Sequence, residues 1–136
     1  MSFEFSTNLK EGYLTISAKG LRKDFDSMIS SSKGVSEIAI KNKVKYILLD
    51  YNELYYDVPL TFVYNQVKVF ERNLPYLSQI TISVITNRES YEIAKFWESI
   101  CIKRGYRYKV FLESKLAVAW LKEQITLDKT RSSSSS

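Results

Sequence analysis

Apolar and polar positions alternate near the start of the chain. Leu14, Ile16 and Ala18 interleave with Tyr13, Thr15 and Ser17, the period of a half-buried strand. Phe3 to Thr7 reads as a shorter strand, and Asn8-Leu9-Lys10-Glu11-Gly12 between the two supplies turn residues. An N-terminal β-hairpin is predicted, with Gly20 closing its second strand. Helical spacing follows in Phe25, Met28 and Ile29, and again in Val35, Ile38 and Ala39. Ser30-Ser31-Ser32 and Gly34 interrupt it. The pattern predicts a helix over roughly 33–42, with a loop or short helical turn before it.

Tyr46-Ile47-Leu48-Leu49 is continuously apolar, as in a central strand covered on both faces. Asn52 to Pro59 then reads as a long polar-aromatic loop. Pro59 suits the first position of a helix, whose stripe is Leu60, Val63, Val67, Phe70 and Leu74, ended by Pro75. Ile80, Ile82, Val84 and Ile85 mark the next buried strand. Thr86-Asn87-Arg88-Glu89 has the form of a capping box, Thr86 or Asn87 capping and Glu89 reaching back. Ile93, Phe96, Trp97, Ile100 and Cys101 give the following helix its apolar face, and Gly105 its left-handed end. Tyr108 to Leu112 is the last strand. Ser114 to Gln124 is the last helix, carrying Leu116, Ala117, Trp120 and Leu121.

From Leu127 the chain turns polar and ends in Ser132 to Ser136. It has too little apolar area there to order itself, so residues 127–136 are expected to form a flexible tail outside a domain over 1–126. The order is ββαβαβαβα. It predicts an α/β fold with a mixed, mainly parallel sheet, an N-terminal hairpin at its edge and about four helices.

Composition narrows the chemistry. The chain has 136 residues, 45% hydrophobic and 26% charged, the make-up of one globular domain. Histidine is absent and Cys101 is the single cysteine. That removes His-based catalytic dyads and triads, an internal disulfide and any multi-Cys or His-ligated metal site. The four glycines lie far apart, so no phosphate-cradling loop exists. No catalytic residue, metal or cofactor is indicated, and a non-enzymatic module is expected. No apolar run approaches the roughly 18 residues that span a bilayer, and Met1-Ser2-Phe3-Glu4-Phe5 lacks the features of a secretory signal; a cytoplasmic location is the expectation. The net charge of +5 permits an acidic partner without arguing for one, because the signs are interspersed.

Several segments bring a family into view: Gly12-Tyr13-Leu14-Thr15-Ile16, Tyr46-Ile47-Leu48-Leu49-Asp50-Tyr51, Arg104-Gly105-Tyr106, and Lys109-Val110-Phe111-Leu112-Glu113 followed by Ala119-Trp120-Leu121. Over about residues 3–124 the chain resembles the superfamily of STAS-type domains, those like the bacterial anti-sigma-factor antagonists, and in particular the small SpoIIAA-like proteins without an assigned reaction. The resemblance implies a regulatory module that binds a protein partner. Signalling members carry an Asp-Ser-Ser-Gly-type phosphoacceptor where the central strand meets its helix. Here the matching stretch is Asp50-Tyr51-Asn52-Glu53-Leu54, with no hydroxyl other than tyrosine's before Thr61, so a phosphoswitch is not expected. Some relatives resemble lipid-binding domains, which keeps a small apolar or anionic ligand as the alternative.

In open α/β sheets ligands gather beyond the C-terminal ends of the parallel strands. That rule nominates Asp50, Tyr51 and Asn52 after one strand and Asn87, Arg88 and Glu89 after another. The simpler reading is that Asp50 ties down a loop and the others cap a helix. Tyr51, Tyr55, Tyr56 and Tyr64 form an aromatic cluster suited to a partner surface, or else close the open end of the core. An exposed patch without a cavity favours the partner; a closed apolar pocket favours the ligand. Lys103, Arg104, Arg107 and Lys109 interleave with Tyr106 and Tyr108, a pattern that can grip phosphates and stack bases. Cations also suit a helix end, and a nucleic-acid partner ranks last. Cys101 is expected to be a buried, inert thiol.

Overall fold

A computed structural model describes residues 6–10, 12–73 and 75–134. The elements are β1 (Ser6–Lys10), β2 (Tyr13–Arg22), α1 (Phe25–Asn42), β3 (Tyr46–Tyr56), α2 (Leu60–Asn73), a 3-10 turn (Pro75–Gln79), β4 (Thr81–Ile85), α3 (Tyr91–Lys103), β5 (Arg107–Phe111) and α4 (Ser114–Ser134). They form one five-stranded sheet in the order β1-β2-β3-β4-β5. β2 to β5 are parallel, and β1 lies antiparallel to β2, Lys10 opposite Tyr13. The predicted parallel α/β core is present. Asn8 to Lys10, read from the sequence as turn, belong to β1, and Phe3 to Phe5 lie outside the described residues.

Strand order decides where the helices go. Each parallel strand adds to the same side of its predecessor, so right-handed crossovers place the three connecting helices on one face. Buried contacts agree. Leu14, Ile16, Ile47, Leu49, Ile82, Val84 and Val110 pack with Val35 and Ala39 of α1 and with Ala94 and Trp97 of α3. Val63 and Val67 of α2 join Met28, Ile100 and Cys101 beside them. The opposite face takes α4 alone, with Tyr13, Leu48 and Ile85 against Ala117 and Leu121.

Three boundaries differ from the sequence reading, each for a local reason. α1 starts at Phe25, because the Asp24 side chain accepts from the Ser27 amide and Ser27 bonds back to Asp24; the serine run and Gly34 are carried inside one capped helix. β3 runs through the expected loop to Tyr56, paired with β2 as far as Arg22. The junction between this strand and α2 therefore lies at 57–59, and Thr61 sits exposed in the first turn of α2. Leu60 is exposed rather than in the stripe; the Phe70 side chain and Leu74 lie outside what is described. α4 continues past 126 to Ser134, since Asp128 receives hydrogen bonds from Tyr46 and Arg107, and the expected boundary falls within a helix. At the end of α3, Gly105 takes φ +86°. Its amide and that of Tyr106 close back on Ile102 and Cys101, the Schellman end predicted from the glycine.

Candidate functional site

The ends of β2 and β3 outrun the rest of the sheet. β4 stops level with Asp50, while β2 and β3 stay paired to Arg22 and Tyr56. A bulge interrupts that pairing: the two-residue step from Ser17 to Lys19 matches a three-residue step from Asp50 to Glu53. The extra residue reverses the facing of everything after it. Tyr51 therefore points inward before the bulge, and Leu54 and Tyr56 point inward after it. The Asn52 amide bonds to Asp50 Oδ1 at 3.2 Å within the bulge.

Where β4 has ended, Asn87 continues its ladder. The Asn87 side-chain amide donates to the carbonyls of Asn52 and Leu54 at 2.9 and 3.0 Å. Its Oδ1 accepts from the Ser90 amide, and Ser90 Oγ donates to Leu54. The N-cap of α3 is Ser90, without a side-chain capping bond, and Glu89 stands exposed, so in place of the predicted capping box Asn87 makes this bridge in the turn before the helix. Of the nominated residues, Asp50, Asn52 and Asn87 meet around the bulge, and Tyr55, Arg88 and Glu89 face solvent. Tyr51 is buried and Tyr56 half-buried. The exposed loop cluster of tyrosines does not form, because these residues are alternating positions of a strand.

Tyr51 and Tyr56 instead line a cavity of about 60 Å³ between the sheet and α1, α2 and α3. Its apolar walls include Val35, Leu49, Ile82 and Tyr108, and its polar lining residues include Arg22, Ser31, Ser32, Gln66 and Arg107. Arg22 ends β2 at 1% exposure, the largest fully buried side chain in the described structure. Its Nη2 donates to Ser31 Oγ at 3.2 Å. Burial pushes the guanidinium below its ordinary value, with the Tyr51 and Tyr56 hydroxyls acting in the opposite sense. Burial likewise pushes the Tyr51 hydroxyl up to about 12, against a hydrogen bond with Ser31 and the charge of Arg22; Tyr56 and Tyr108 are also raised by burial. All three rings stay protonated near neutral pH and can donate. Cys101 also borders the cavity. Burial raises its thiol to about 12, so it stays protonated near neutral pH.

Arg22, Ser31 and Gln66 were absent from the sequence-derived candidates, yet a signal existed. Leu14, Ile16, Ala18, Gly20 and Arg22 share one parity, so carrying the alternation past Gly20 places Arg22 inward. Gln66 lies between Val63 and Val67 on the stripe of α2. The same rule separates the basic cluster. Tyr108 faces the cavity, while Arg107 turns to Asp128 and Gln124 of α4 and Lys109 lies over Phe111. On β5, Tyr108 thus lies on the cavity face, and Arg107, Lys109 and the Phe111 ring share the other.

No protein-family model matches the chain. A search of curated proteins likewise gives no match. Among solved structures, an uncharacterized protein of the DUF3478 family with a SpoIIAA-like fold, from Shewanella loihica PV-4, superposes with a TM-score of 0.54. The alignment covers 88% of this chain and 93% of that one at 18% identity. The fold is SpoIIAA-like. At this identity the likeness speaks for architecture alone, and it agrees with the resemblance carried by the sequence motifs. Among the described residues no helix is long and apolar enough to cross a membrane, and no cluster of acidic or cysteine side chains is arranged to hold a metal ion.

Proposed function

We propose that this SpoIIAA-like chain is a non-enzymatic binding module whose ligand is a small apolar anion, a short carboxylate, held in the cavity beneath the sheet. One observation carries the reading: a fully buried guanidinium, Arg22, lines an otherwise largely apolar cavity together with tyrosine and serine hydroxyls. Desolvating a cation costs several kcal/mol, and an anion bound beside it in the low-dielectric interior recovers much of that. Room for a water takes about 10–15 Å³ on this measure, so the cavity suits a ligand of about five or six non-hydrogen atoms. Ser32, Tyr56 and Tyr106 are half-buried at its border and connect it with the surface.

Calorimetric titration with isobutyrate and with isobutyramide tests this, since the two share shape and differ in charge. Isobutyrate is expected to bind at least tenfold more tightly, and Arg22→Met to abolish the difference. Equal affinities, or binding of neither, would overturn the proposal.

A second reading keeps a protein partner. Leu21 and Tyr55 pair across β2 and β3 and are 39% and 37% exposed, an apolar pair at the protruding end of the sheet. Changing both to Ser should leave stability within about 0.5 kcal/mol while abolishing capture of any protein that docks there. Undiminished capture of such a protein would remove this surface from consideration.

A further inference from the structure

β5 is the last strand of the described sheet, so among the described residues one of its sides borders no other strand. The Thr86 amide donates to the Phe111 carbonyl. Arg107, Lys109 and Phe111 therefore turn their backbone groups toward β4, and Tyr108 and Val110 turn theirs to the outer side. An edge of this kind is a template for a further strand, and native proteins cover or charge it. Here the cover is a single side chain. Glu98 of α3 reaches down to the edge, and the Val110 amide donates to its Oε2 at 2.6 Å. Oε1 receives Lys95 Nζ at 2.7 Å, so both carboxylate oxygens are engaged and the group is held in place.

Glu98 is 8% exposed. Holding a carboxylate out of water costs free energy that an apolar side chain in the same place does not. Packing alone gives no reason for it; an outward amide in need of an acceptor does. The strand that fits this edge is a second copy of the chain. Antiparallel pairing about a two-fold axis through Lys109 sets Tyr108 of each copy opposite Val110 of the other. These are the residues of β5 whose backbone groups point outward, so each such pair exchanges two hydrogen bonds. The Val110 amide is a donor in both pairs, and Glu98 occupies it. At the axis Lys109 meets its own counterpart, and like charges directly opposite oppose pairing further.

We infer that Glu98 closes the β5 edge to strand pairing with a second copy of this chain. The carboxylate takes the donor that such a ladder requires, and the ion pair with Lys95 steadies it. Removing the acceptor opens the edge; a neutral acceptor of the same reach keeps it shut. The inference is independent of any ligand in the cavity.

Lys109→Cys supplies the probe. Cysteines facing each other across the axis have Cα atoms about 4.5 Å apart, within disulfide reach, and the native Cys101 is buried. Under mild oxidation, read on a non-reducing gel, Lys109→Cys with Glu98→Ala is expected to cross-link about tenfold faster than Lys109→Cys alone, the equivalent of about one hydrogen bond. With Glu98→Gln the rate should match that of Lys109→Cys alone, because the amide oxygen still accepts from Val110. Glu98→Asp keeps the charge but is one methylene short of the amide, and should behave like the alanine variant; it decides the question should alanine prevent folding. Equal rates with and without Glu98, or a glutamine variant as fast as the alanine one, would overturn the inference. On the unaltered chain, hydrogen exchange at the Val110 amide should be slowed by about a hundredfold or more relative to an unstructured amide. Exchange at the unstructured rate would overturn the inference as well.

Discussion

The two faces of the sheet are built from the same five strands and to opposite ends. The face under α4 is small and closed: Tyr13, Leu48 and Ile85 pack on Ala117 and Leu121, the last two fully buried. Its polar tips are matched, Ser83 Oγ to the Ala117 carbonyl and Tyr46 to Asp128. The face under α1, α2 and α3 is larger and buries Arg22, Gln66 and a cavity. Native interiors approach crystal density, and arginine is seldom fully buried. The contrast is between a face closed by matched packing and a face that holds a cavity with buried polar side chains.

Truncation on the closed face is expected to have the largest effect. Leu121→Ala removes a side chain with 0% exposure and should cost about 2–5 kcal/mol in urea unfolding. Adding volume separates the faces more sharply. Ala117→Leu, also at 0%, overpacks the seam between α4 and the sheet and should cost about 1–3 kcal/mol. Val35→Ile adds a methyl group toward the cavity and should be neutral or gain up to about 1 kcal/mol. Equal losses for these two insertions would mean that the faces are packed alike.

Next in size is Arg22→Met, whose effect runs in the opposite direction. If Arg22 serves a ligand rather than the fold, removing its charge relieves a desolvation cost. The urea midpoint without ligand should then hold or rise, by up to about 2 kcal/mol. A loss of more than that would make Arg22 a structural anchor and weaken the case for the site.

What could be read in the chain follows the same division. Strands with unbroken apolar runs, such as 46–49, and helices ended by punctuating residues, such as Gly105, were legible because local chemistry and tertiary packing agree there. The bulge in β3 was not. No glycine or proline marks residues 51 and 52, and a bulge exists only relative to a partner strand. Reading Asn52 to Pro59 as a loop, and its tyrosines as one exposed cluster, follows from missing that single residue. The inward parity of Arg22 was legible, but an inward charge conflicts with the usual rule that such residues face water. Arg22 and the bulge lie where local and global preferences disagree.

The smallest expected effect comes from the far half of α4, where the closed face ends in charge rather than in leucine. Asp128 receives hydrogen bonds from Tyr46 Oη and from Arg107 Nη1, the latter at 2.8 Å, and Arg131 lies 3.8 Å away. Burial alone would raise its carboxyl, but the bonds from Arg107 and Tyr46 outweigh burial and hold it below its ordinary value. Burial and Asp128 together push the Tyr46 hydroxyl up to about 12, so the ring remains a donor across the neutral range. A carboxyl depressed in the folded state contributes stability that is fully present above its unfolded value, near 4, and is lost as pH falls through the folded one. With the side chain 25% exposed, that contribution should not exceed about 1 kcal/mol. Asp128→Asn should therefore show a deficit of that order at pH 7, which shrinks as pH falls below about 4. Urea midpoints of both proteins at pH 7 and below pH about 4 measure it. A deficit of equal size at both would show that Asp128 acts through its shape and not its charge. The anchoring of residues 127–134 would then rest on packing, as it does on the rest of that face.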